Sequence, residues 1–444
     1  MKFAPLTSVR ADMRDITSLS VQEIARAVSQ RELRAEAVVH AFADRITAQE
    51  PDVQAWQYFD LESALVQARK LDSGVILASP LAGVPVGVKD LMDTADMPTT
   101  YGSPIYEDHY PTLDAACVAI CRETGAVIMG KTVSTEFATF QPGPTRNPRA
   151  PRGTLHTPGG SSSGSAAAVA AGMVPVALGT QTAGSIVRPA SYCGVVGFKP
   201  THGTLPLAGV KPLAPSLDTI GVLARTVEDA AYFVGALART KFSLANPEQI
   251  RVGLCRSPHW DSASGDAKQA LENAARQLEG GGAHVKDMNW PAAWDHLTQA
   301  QIDIMGYEAR AAFAPERRLH AQLFSTAFAS FLKSAENVDG IHAAAAYLIA
   351  DIARCKLAAV FESVDVLLAV SAEGEAPPGI DATGNPIFNR LWTLLGVPCV
   401  HVPTGVGTKG LPVGVTVIGP RWGDAQALAA AHFLQHRLAL RELT

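Results

Sequence analysis

The chain has 444 residues, of which 47% are hydrophobic and 18% charged, with 37 glycines and a formal net charge of −5. This composition is typical of a globular protein with a large buried core, and it excludes a disordered chain. The positive residues are scattered and form no basic stripe, so nucleic acid is not expected as a partner.

The N-terminal segment and the cysteines indicate a cytoplasmic protein. Residues 1–14 contain no apolar run long enough for a signal peptide. The longest stretch of small apolar residues, 166–179, is too short to span a bilayer and contains Gly172 and Pro175. The six cysteines have no CxxC or other zinc-binding spacing, so we expect free thiols and no metal site.

The secondary-structure patterns, taken in chain order, indicate an α/β protein. Ser20 and Glu23 form a capping box within residues 1–55, where we expect two amphipathic helices on the outside of the core. From Gly83 onward, short apolar runs alternate with helical stretches, which is typical of a mostly parallel or mixed sheet covered by helices. The predicted strands are 84–88, 126–129, 174–178, 252–255, 364–370, 399–402 and 413–418, and helices are predicted at 115–122 and from Ser163.

An alanine-rich region at residues 292–361 is predicted to form a helical layer or lid. Apolar residues recur in it at alternating spacings of four and three, which is the period of a helix. The strands after it imply that residues 364–444 complete the same sheet, so we predict a single domain over 1–444. The residues that carry this period are Ile341, Ala345, Leu348, Ile352, Cys355 and Ala359.

Residues 125–132 match the Walker A pattern of nucleotide-binding proteins letter for letter. A phosphate-binding loop needs its middle residues in a flexible turn after a strand, so that backbone N–H groups can surround phosphates. Here the middle residues are Ala, Val, Ile and Met, which favour a buried strand, and a helical pattern precedes them. We therefore interpret this match as coincidental.

Residues 160–164 match the nucleophile-elbow pattern GxSxG, which would make Ser162 the nucleophile of an α/β-hydrolase-type esterase. That elbow requires a strand directly upstream, but residues 149–158 contain two prolines and a glycine and cannot form a central strand. The motif also needs a catalytic histidine, and no histidine lies in a motif that favours this role. The esterase therefore stays an alternative.

Three glycine-rich segments together supply the groups that acyl transfer requires. Lys89 follows the strand predicted at 84–88, and a buried lysine has a lowered pKa and can act as a general base. Lowering its pKa from about 10.4 to about 7 or 8 corresponds to roughly 3 to 4 kcal/mol. Ser161 and Ser185 lie beside glycines, which permit close backbone approach. An oxyanion hole can form from the backbone N–H groups of Thr182, Ala183, Gly184 and Ser185.

These segments resemble the amidase signature family, whose serine hydrolases use a Ser–cisSer–Lys triad. The resemblance rests on the glycine-serine run at 159–165, the Ala-rich segment after it, and the blocks at 179–190 and 194–201. Further segments extend it over most of the chain after residue 60. It implies an α/β fold, a three-layer α/β/α sandwich with a mixed central β-sheet, and a signature core at 60–230.

By position, the resemblance implies a role for each member of the triad. Ser185 is the nucleophile, Ser161 is the bridging serine that follows a cis peptide bond to Gly160, and Lys89 is the general base. The two serines are 24 residues apart, which agrees with the family register and favours Ser161 over the two serines that follow it.

Three further residues are expected to contact the substrate: Arg188, Gly160 and Gln181. Arg188 aligns with an arginine that binds the substrate carboxylate in malonamidase-like members, and the alternative is a structural ion pair beneath the site. Gln181 and Ala183 depart from the commonest family sequence, Asp-Thr-Gly-Gly-Ser. Gln181 removes a charge near the triad, whereas Ala183 keeps the backbone N–H and adds a methyl group that can narrow the pocket.

The resemblance implies a serine amidohydrolase that cleaves a C–N bond of a small amide, or a related carbamate or ester, through an acyl-enzyme on Ser185. It implies no cofactor, no metal and no membrane, and dimerisation is a family-level expectation. A glutaminase-like subunit of an amidotransferase complex is a further alternative, in which ammonia passes to a partner protein. A binding protein without catalysis is disfavoured because all three triad residues are present.

Overall fold

The computed structural model describes residues 15–74, 79–246, 249–288, 291 and 294–442. Two sequence predictions concern residues outside these ranges. One is that residues 1–14 contain no signal segment, and the other is the start of the helical layer predicted at 292–361. The strands are β1 Trp56–Phe59, β2 Pro85–Lys89, β3 Val127–Thr132, β4 Val176–Gln181, β5 Val196–Lys199, β6 Thr219–Ala224, β7 Arg251–Leu254, β8 His284–Asp287, β9 Val366–Val370, β10 Cys399–Val406 and β11 Pro412–Ile418. The α-helices are α1 Val21–Ser29, α2 Ala35–Val53, α3 Leu61–Asp72, α4 Ala116–Glu123, α5 Ser163–Ala170, α6 Val187–Cys193, α7 Val227–Leu237, α8 Gly265–Gly280, α9 Leu297–Ala312, α10 Ala314–Leu319, α11 Thr326–Ser334, α12 Gly340–Ser363, α13 Arg390–Leu395 and α14 Asp424–Glu442.

The eleven strands belong to one mixed sheet with the order β1-β3-β2-β4-β6-β5-β10-β11-β9-β7-β8. β2 runs parallel to β3 and β4, and β7 runs parallel to β8 and β9, whereas the other neighbours are antiparallel. Every residue of β2, β3, β4, β5, β6, β9 and β11 is buried. Because successive side chains point to opposite faces, helices must cover both faces, which confirms the predicted α/β/α sandwich.

All seven predicted strands form, with their ends shifted by a few residues, but four further strands were not predicted. β1 and β8 are the two edge strands of the sheet, and each has four residues that are mostly exposed or half-buried. They therefore lack the continuous apolar run that marks a central strand. β5 and β6 each contain a glycine within a short run, which weakens the strand signal.

The segment that matches Walker A contains strand β3, which confirms that it is not a phosphate-binding loop. Lys131 is fully buried, and its Nζ lies 3.1 Å from Asp90 Oδ1 and donates a hydrogen bond to the Met92 carbonyl at 2.9 Å. This lysine is therefore occupied by protein groups and has no surface from which to reach a phosphate.

The region predicted as a helical layer contains α9, α10, α11 and α12, and α12 packs against α9. The residues that gave α12 its predicted period lie on its outer side, with Ile341 80%, Leu348 61% and Ile352 45% exposed. Small side chains form its buried side instead, because they allow helix axes to approach closely. The buried residues of α12 are Ala343, Ala346, Ala350, Ala353 and Leu357.

Two neighbouring parallel strands position the candidate site. Val88 of β2 pairs with Leu178 of β4, so both strands end at the same edge of the sheet. Lys89 is the last residue of β2, and the glycine-containing loop 182–185 directly follows β4. Ligand sites in α/β sheets occur at such carboxyl edges. No helix within the described ranges has both the length and the apolar character needed to cross a bilayer.

Candidate active site

Lys89 is fully buried, and its amine contacts two hydroxyl groups. Its Nζ donates hydrogen bonds to Ser161 Oγ at 2.7 Å and to Thr180 Oγ1 at 2.8 Å. Burial lowers the pKa of Lys89 to about 7, and the nearby Asp218 carboxylate acts in the opposite direction. About half of the Lys89 amines are therefore uncharged at neutral pH, and an uncharged amine can accept a proton.

The Gly160–Ser161 peptide bond is cis, which confirms the bond predicted at this position. Ser161 is fully buried, and its carbonyl accepts a hydrogen bond from the Thr135 N–H at 3.2 Å. A side chain at position 160 would not fit, because a Cβ atom there would lie 2.8 Å from Thr383 Cγ2. The Gly160 carbonyl accepts a hydrogen bond from Arg188 Nη2 at 2.6 Å. The backbone carbonyl of Gly160 thus links the loop that carries Ser161 to Arg188.

Ser185 lies at a small cavity rather than deep in the core. Its side chain is 6% exposed and lines a space of about 20 Å³ together with Thr182, Arg188 and Met305. The Ser185 carbonyl accepts a hydrogen bond from the Ser162 N–H at 3.4 Å, which joins the two serine loops. Within the described ranges, the hydroxyls of Ser161 and Ser185 do not hydrogen-bond to each other. The structure therefore connects Lys89 to Ser161 directly and Ser161 to Ser185 through adjacent backbone.

The loop 182–185 is held by its carbonyl groups, which leaves its N–H groups unused. The Thr182 carbonyl accepts from Gln301 Nε2 at 2.9 Å, and the Ala183 carbonyl accepts from Thr393 Oγ1 at 2.8 Å. Across the part of the chain that the structure describes, the four N–H groups of this loop form no hydrogen bonds. Such N–H groups next to Ser185 are donors for an oxyanion.

Gln181 has different contacts from those expected of a substrate-binding residue. It is fully buried, and its Oε1 accepts hydrogen bonds from the N–H groups of Ile186 at 2.9 Å and Val187 at 3.1 Å. Its Nε2 donates to Thr393 Oγ1 at 3.0 Å. The side chain supports the turn between Ser185 and helix α6, because both ends of its amide bond to protein groups there.

Arg188 lies in the first turn of α6 and is buried, and only one of its three nitrogens has a hydrogen-bond partner among the described residues. Nη2 donates to the Gly160 carbonyl and to Thr383 Oγ1, at 2.6 and 3.2 Å. Nε and Nη1 are inaccessible to solvent and have no hydrogen-bond partner among the described residues. Burial lowers the pKa of Arg188 to about 10, so the guanidinium stays charged at neutral pH. No described carboxylate forms a salt bridge with it, so the ion pair considered as an alternative is not present there.

Two residues of the site were not predicted as participants, although the fold accounts for their positions. Thr180 bonds to Lys89 because it lies near the end of β4, beside β2; recognising the parallel β2–β4 pair from the sequence would have identified it. Asp218 is buried behind the loop and accepts hydrogen bonds from Thr182 Oγ1 and from the Leu213 N–H. Burial raises the pKa of Asp218 to about 6.

Helix α9 forms one wall of the site, and no sequence signal pointed to its residues. Gln301 holds the Thr182 carbonyl and in turn accepts a hydrogen bond from Arg390 Nη1. Met305 and Phe140 line the cavity beside Ser185 and also a larger groove of about 550 Å³ that is lined mainly by α9 and α11. This groove therefore adjoins the cavity, and Met305 and Phe140 lie at the border between them.

The contacts of Ser162 disfavour the esterase alternative. Its Oγ donates to the Thr180 carbonyl at 3.2 Å and accepts from the Thr180 N–H at 3.3 Å, and the side chain is fully buried. In the described part of the chain, no histidine hydrogen-bonds to this hydroxyl. Ser162 is therefore bound to the backbone of β4 and lacks the base that a nucleophile elbow requires.

Comparison with known proteins agrees with this arrangement. The family model described as Amidase matches residues 37–428. This chain belongs to the amidase family. In sequence, this amidase is 32% identical to a glutamyl-tRNA(Gln) amidotransferase subunit of Oleidesulfovibrio alaskensis, over 96% of this chain and 98% of that protein. The predicted family membership is therefore confirmed.

Solved structures share the fold of this amidase. One is a chain from a vestigial protein complex described as revealing the evolutionary origins of an s-triazine catabolic enzyme. It is 29% identical with a TM-score of 0.85, over 94% of this chain and 98% of that chain. The peptide amidase of Stenotrophomonas maltophilia is 27% identical with a TM-score of 0.79, over 95% and 97%. The predicted fold and the predicted enzyme class, hydrolysis of C–N bonds, are thus confirmed.

Proposed function

We propose that this amidase hydrolyses a small amide that carries a carboxylate, through an acyl-enzyme on Ser185. The observation that carries the proposal is the buried Arg188 guanidinium beside Ser185, whose Nε and Nη1 have no acceptor in the part of the chain that the structure describes. Leaving a buried donor unsatisfied costs about 1 to 3 kcal/mol, and more for a charged group. A substrate that supplies an acceptor removes this cost, and a carboxylate is the acceptor that pairs most strongly with guanidinium.

In the proposed mechanism, uncharged Lys89 is the general base. Lys89 takes a proton from Ser161 while Ser161 takes a proton from Ser185, and the Ser185 oxygen forms a bond to the amide carbonyl carbon. The 2.7 Å contact between Lys89 and Ser161 supports the first transfer. The second transfer requires the two serine hydroxyls to come together when substrate fills the cavity. The N–H groups of residues 182–185 then stabilise the negative carbonyl oxygen.

The same groups complete the reaction in reverse order. When the carbonyl re-forms, the C–N bond breaks, and the proton on Lys89 returns through Ser161 to the leaving nitrogen. A water molecule then attacks the ester on Ser185 and gives its proton to the same pair. The acyl–oxygen bond then breaks to release the carboxylate product, and the pair returns the proton to the Ser185 oxygen, which restores its hydroxyl. We propose Gln181 and Thr180 as positioning residues, because their side chains bond to the loop and to Lys89.

A second candidate function is that of a glutaminase-like subunit that passes ammonia to a partner protein. The relatives in sequence favour it, since the match to the glutamyl-tRNA(Gln) amidotransferase subunit covers nearly the whole chain. Glutamine is also a small amide with a carboxylate, so Arg188 suits both candidates. The two candidates differ in whether the chain is active alone.

We also propose that the enzyme resides in the cytoplasm. All six cysteines are free thiols, and Cys117, Cys121, Cys193, Cys255 and Cys399 are buried. Reduced cysteines are usual where glutathione and thioredoxin keep thiols reduced. Fractionation of cells that express the chain would test this location, and recovery outside the cytoplasm would contradict it.

A panel of matched amides tests the proposed substrate class. Each amide carrying a carboxylate is paired with its neutral methyl-ester analogue, and glutamine is included. For Arg188→Met we expect kcat/KM to fall about 10- to 100-fold more on the carboxylates than on their neutral partners, because one charged hydrogen bond contributes about 1.5 to 3 kcal/mol. Loss of the hydrogen bond from Arg188 to the Gly160 carbonyl should lower activity on both partners to the same extent. The surface variant Arg256→Met is the control.

Equal loss on both members of each pair would contradict the carboxylate proposal. Activity of the purified chain on several small amides supports a free-standing amidase. Ammonia release from glutamine that appears only after a partner protein is added supports the amidotransferase candidate instead.

A further inference from the structure

We propose a divalent-metal site, remote from the active site, formed by Glu228, His432 and His436. Glu228 lies in the first turn of α7, and the two histidines lie one turn apart on α14. His432 Nε2 is 3.0 Å from Glu228 Oε1 and 2.9 Å from His436 Nε2, and the three candidate ligand atoms all lie within 4.8 Å of one another. Two imidazoles and one carboxylate are a ligand set that binds zinc in proteins.

Hydrogen bonds alone account poorly for the two short contacts of His432 Nε2 with Glu228 and His436. An uncharged imidazole nitrogen has, in the ring plane, either one N–H or one lone pair. If His432 Nε2 donates, one N–H is shared between Glu228 and His436. If His432 Nε2 instead accepts a hydrogen bond from His436, its lone pair lies next to the Glu228 carboxylate oxygen, which is also an acceptor. A divalent cation placed between the three atoms instead accepts a lone pair from each of them.

The helix geometry makes the pair a preformed chelate. Residues four apart on a helix share one face, and the two rings lie 4.3 Å apart at an interplanar angle of 76°. The His432 side chain is 12% exposed and that of Glu228 60%, so the site is at the surface and leaves room for a water as fourth ligand. A bound ion would connect α7 to α14, beside the hydrogen bond from the Val227 N–H to Gln435 Oε1 at 2.9 Å.

The sequence predicted no metal site, because the cysteines have no zinc-binding spacing and the family resemblance implies no metal. His432 and His436 form an HxxxH pair, which is a weak signal without a third ligand. Glu228 lies 204 positions away in the chain, so only the packing of α7 against α14 brings it to the histidines.

Isothermal titration of the untagged full-length chain with Zn²⁺ tests this site. We expect one site per chain in the wild type, and an affinity at least about tenfold lower in His436→Ala, because a tridentate site becomes bidentate. His40→Ala, which removes an exposed histidine on α2, is the matched control and should bind as the wild type does. Zn²⁺ should also raise the Tm of the wild type and of the control, but not that of His436→Ala.

Alanine at an exposed helix position favours the helix, so His436→Ala should fold. Glu228→Gln then separates the three-ligand site from the histidine pair, since it keeps the side-chain shape and removes the charge. Unchanged Zn²⁺ affinity in either variant would overturn the proposal, and so would a folded wild type that does not bind Zn²⁺.

A second inference rests on the outer face of α12, named here the α12 stripe. We infer that two copies of this chain pair through this stripe. Its spacings of four and three repeat over nearly three heptads, which is the spacing of a coiled-coil seam. Contiguous exposed apolar surface of this kind marks interaction sites. The stripe consists of Ile341, Ala345, Leu348, Ile352, Cys355 and Ala359.

The charges beside the stripe favour a parallel pair. With the stripe at the a and d positions, Asp351 is at g and Lys356 at the next e. Asp351 forms a salt bridge with Arg354 of its own helix at 2.8 Å, and in a parallel pair each Asp351 also lies opposite Lys356 of the second copy, which gives two ion pairs between the copies. In an antiparallel pair, the two Asp351 side chains would face each other. A second copy of the chain in parallel orientation is therefore the occupant that matches both the seam and the charges.

Sedimentation velocity of the purified chain tests this pairing. We expect a dimer whose dissociation constant rises roughly 100-fold in Leu348→Glu, because a carboxylate would be buried in the seam. Leu113→Glu changes a leucine that is 76% exposed elsewhere and should leave the dimer intact. Mild oxidation should crosslink the parallel dimer through Cys355, and Cys355→Ser should not crosslink.

Three outcomes would overturn this second inference. A wild type that stays monomeric at all concentrations would rule out the dimer. A dimer that persists in Leu348→Glu would rule out the α12 stripe as its interface. If Leu348→Glu dissociates the dimer but oxidation never crosslinks the wild type through Cys355, the parallel orientation is ruled out.

Discussion

The loops that carry Ser161 and Ser185 and the helical layer meet at one cavity but contribute to it differently. Lys89, Ser161 and the loop 182–185 belong to the buried centre of the sheet, where each group is held by neighbouring backbone or hydroxyls. The helical layer contributes single side chains: Met305 lines the cavity, and Gln301 donates a hydrogen bond to the Thr182 carbonyl. Changes in the first region should therefore affect the chemical step, and changes in the second should mainly affect the geometry and size of the pocket.

The largest effect is expected for Ser185→Ala, which would break the proposed catalytic centre outright. Without the hydroxyl no acyl-enzyme forms, so kcat should fall roughly 10,000-fold or more. Labelling by a fluorophosphonate, followed by mass spectrometry, should modify Ser185 in the wild type and not in the variant. Ser162→Ala is the control and should still be labelled at Ser185; a label on Ser162 would restore the esterase alternative.

Lys89→Met should have the next largest effect, because it removes the base without adding volume. Loss of a general base lowers kcat roughly 100- to 10,000-fold. Since only the uncharged amine is active and its pKa is about 7, kcat/KM of the wild type should rise with pH up to that value and stay level above it. A wild-type profile that is flat between about pH 6 and 8 would argue against Lys89 as the base.

Gln301→Leu tests whether a residue of the helical layer can affect the chemical step, because Gln301 belongs to that layer but holds the loop 182–185. Loss of its hydrogen bond to the Thr182 carbonyl should displace the N–H groups of that loop. We expect kcat to fall about 10- to 100-fold with little change in KM, since the N–H groups act mainly on the transition state. The exposed neighbour Gln299→Leu on the same helix should behave as the wild type, and a similar loss there would indicate general damage to α9.

Met305→Ala should have the smallest effect on the chemical step. Removing the side chain enlarges the cavity toward the adjoining groove, so the ratio of kcat/KM for longer over shorter amides should rise several-fold, as expected when a pocket gains one or two methylenes of space. The free energy of unfolding should fall by about 2 kcal/mol. Met97→Ala, at a buried site away from the cavity, should lose similar stability with no change in the size preference.

Much of the catalytic region could be predicted because its chemistry depends on short segments. The glycines and serines at 159–165 and 179–185 match a known pattern, and the cis bond and the Lys89–Ser161 contact follow where that pattern places them. Seven inner strands were predicted because they contain continuous, mostly apolar runs, whereas the equally buried β5 and β6 were missed because a glycine interrupts each short run. The edge strands β1 and β8 were missed because half-exposed strands of four residues have no such run.

The sequence by itself determined the family and seven of the inner strands, and it predicted the triad residues, because each of these depends on residues close together along the chain. Only the tertiary structure decided that Gln301 holds the Thr182 carbonyl, that two nitrogens of Arg188 have no hydrogen-bond partner among the described residues, and that the apolar stripe of α12 faces outward. Each of these depends on segments far apart in sequence. Their packing is set by the sum of many weak contacts, and no local pattern records that sum.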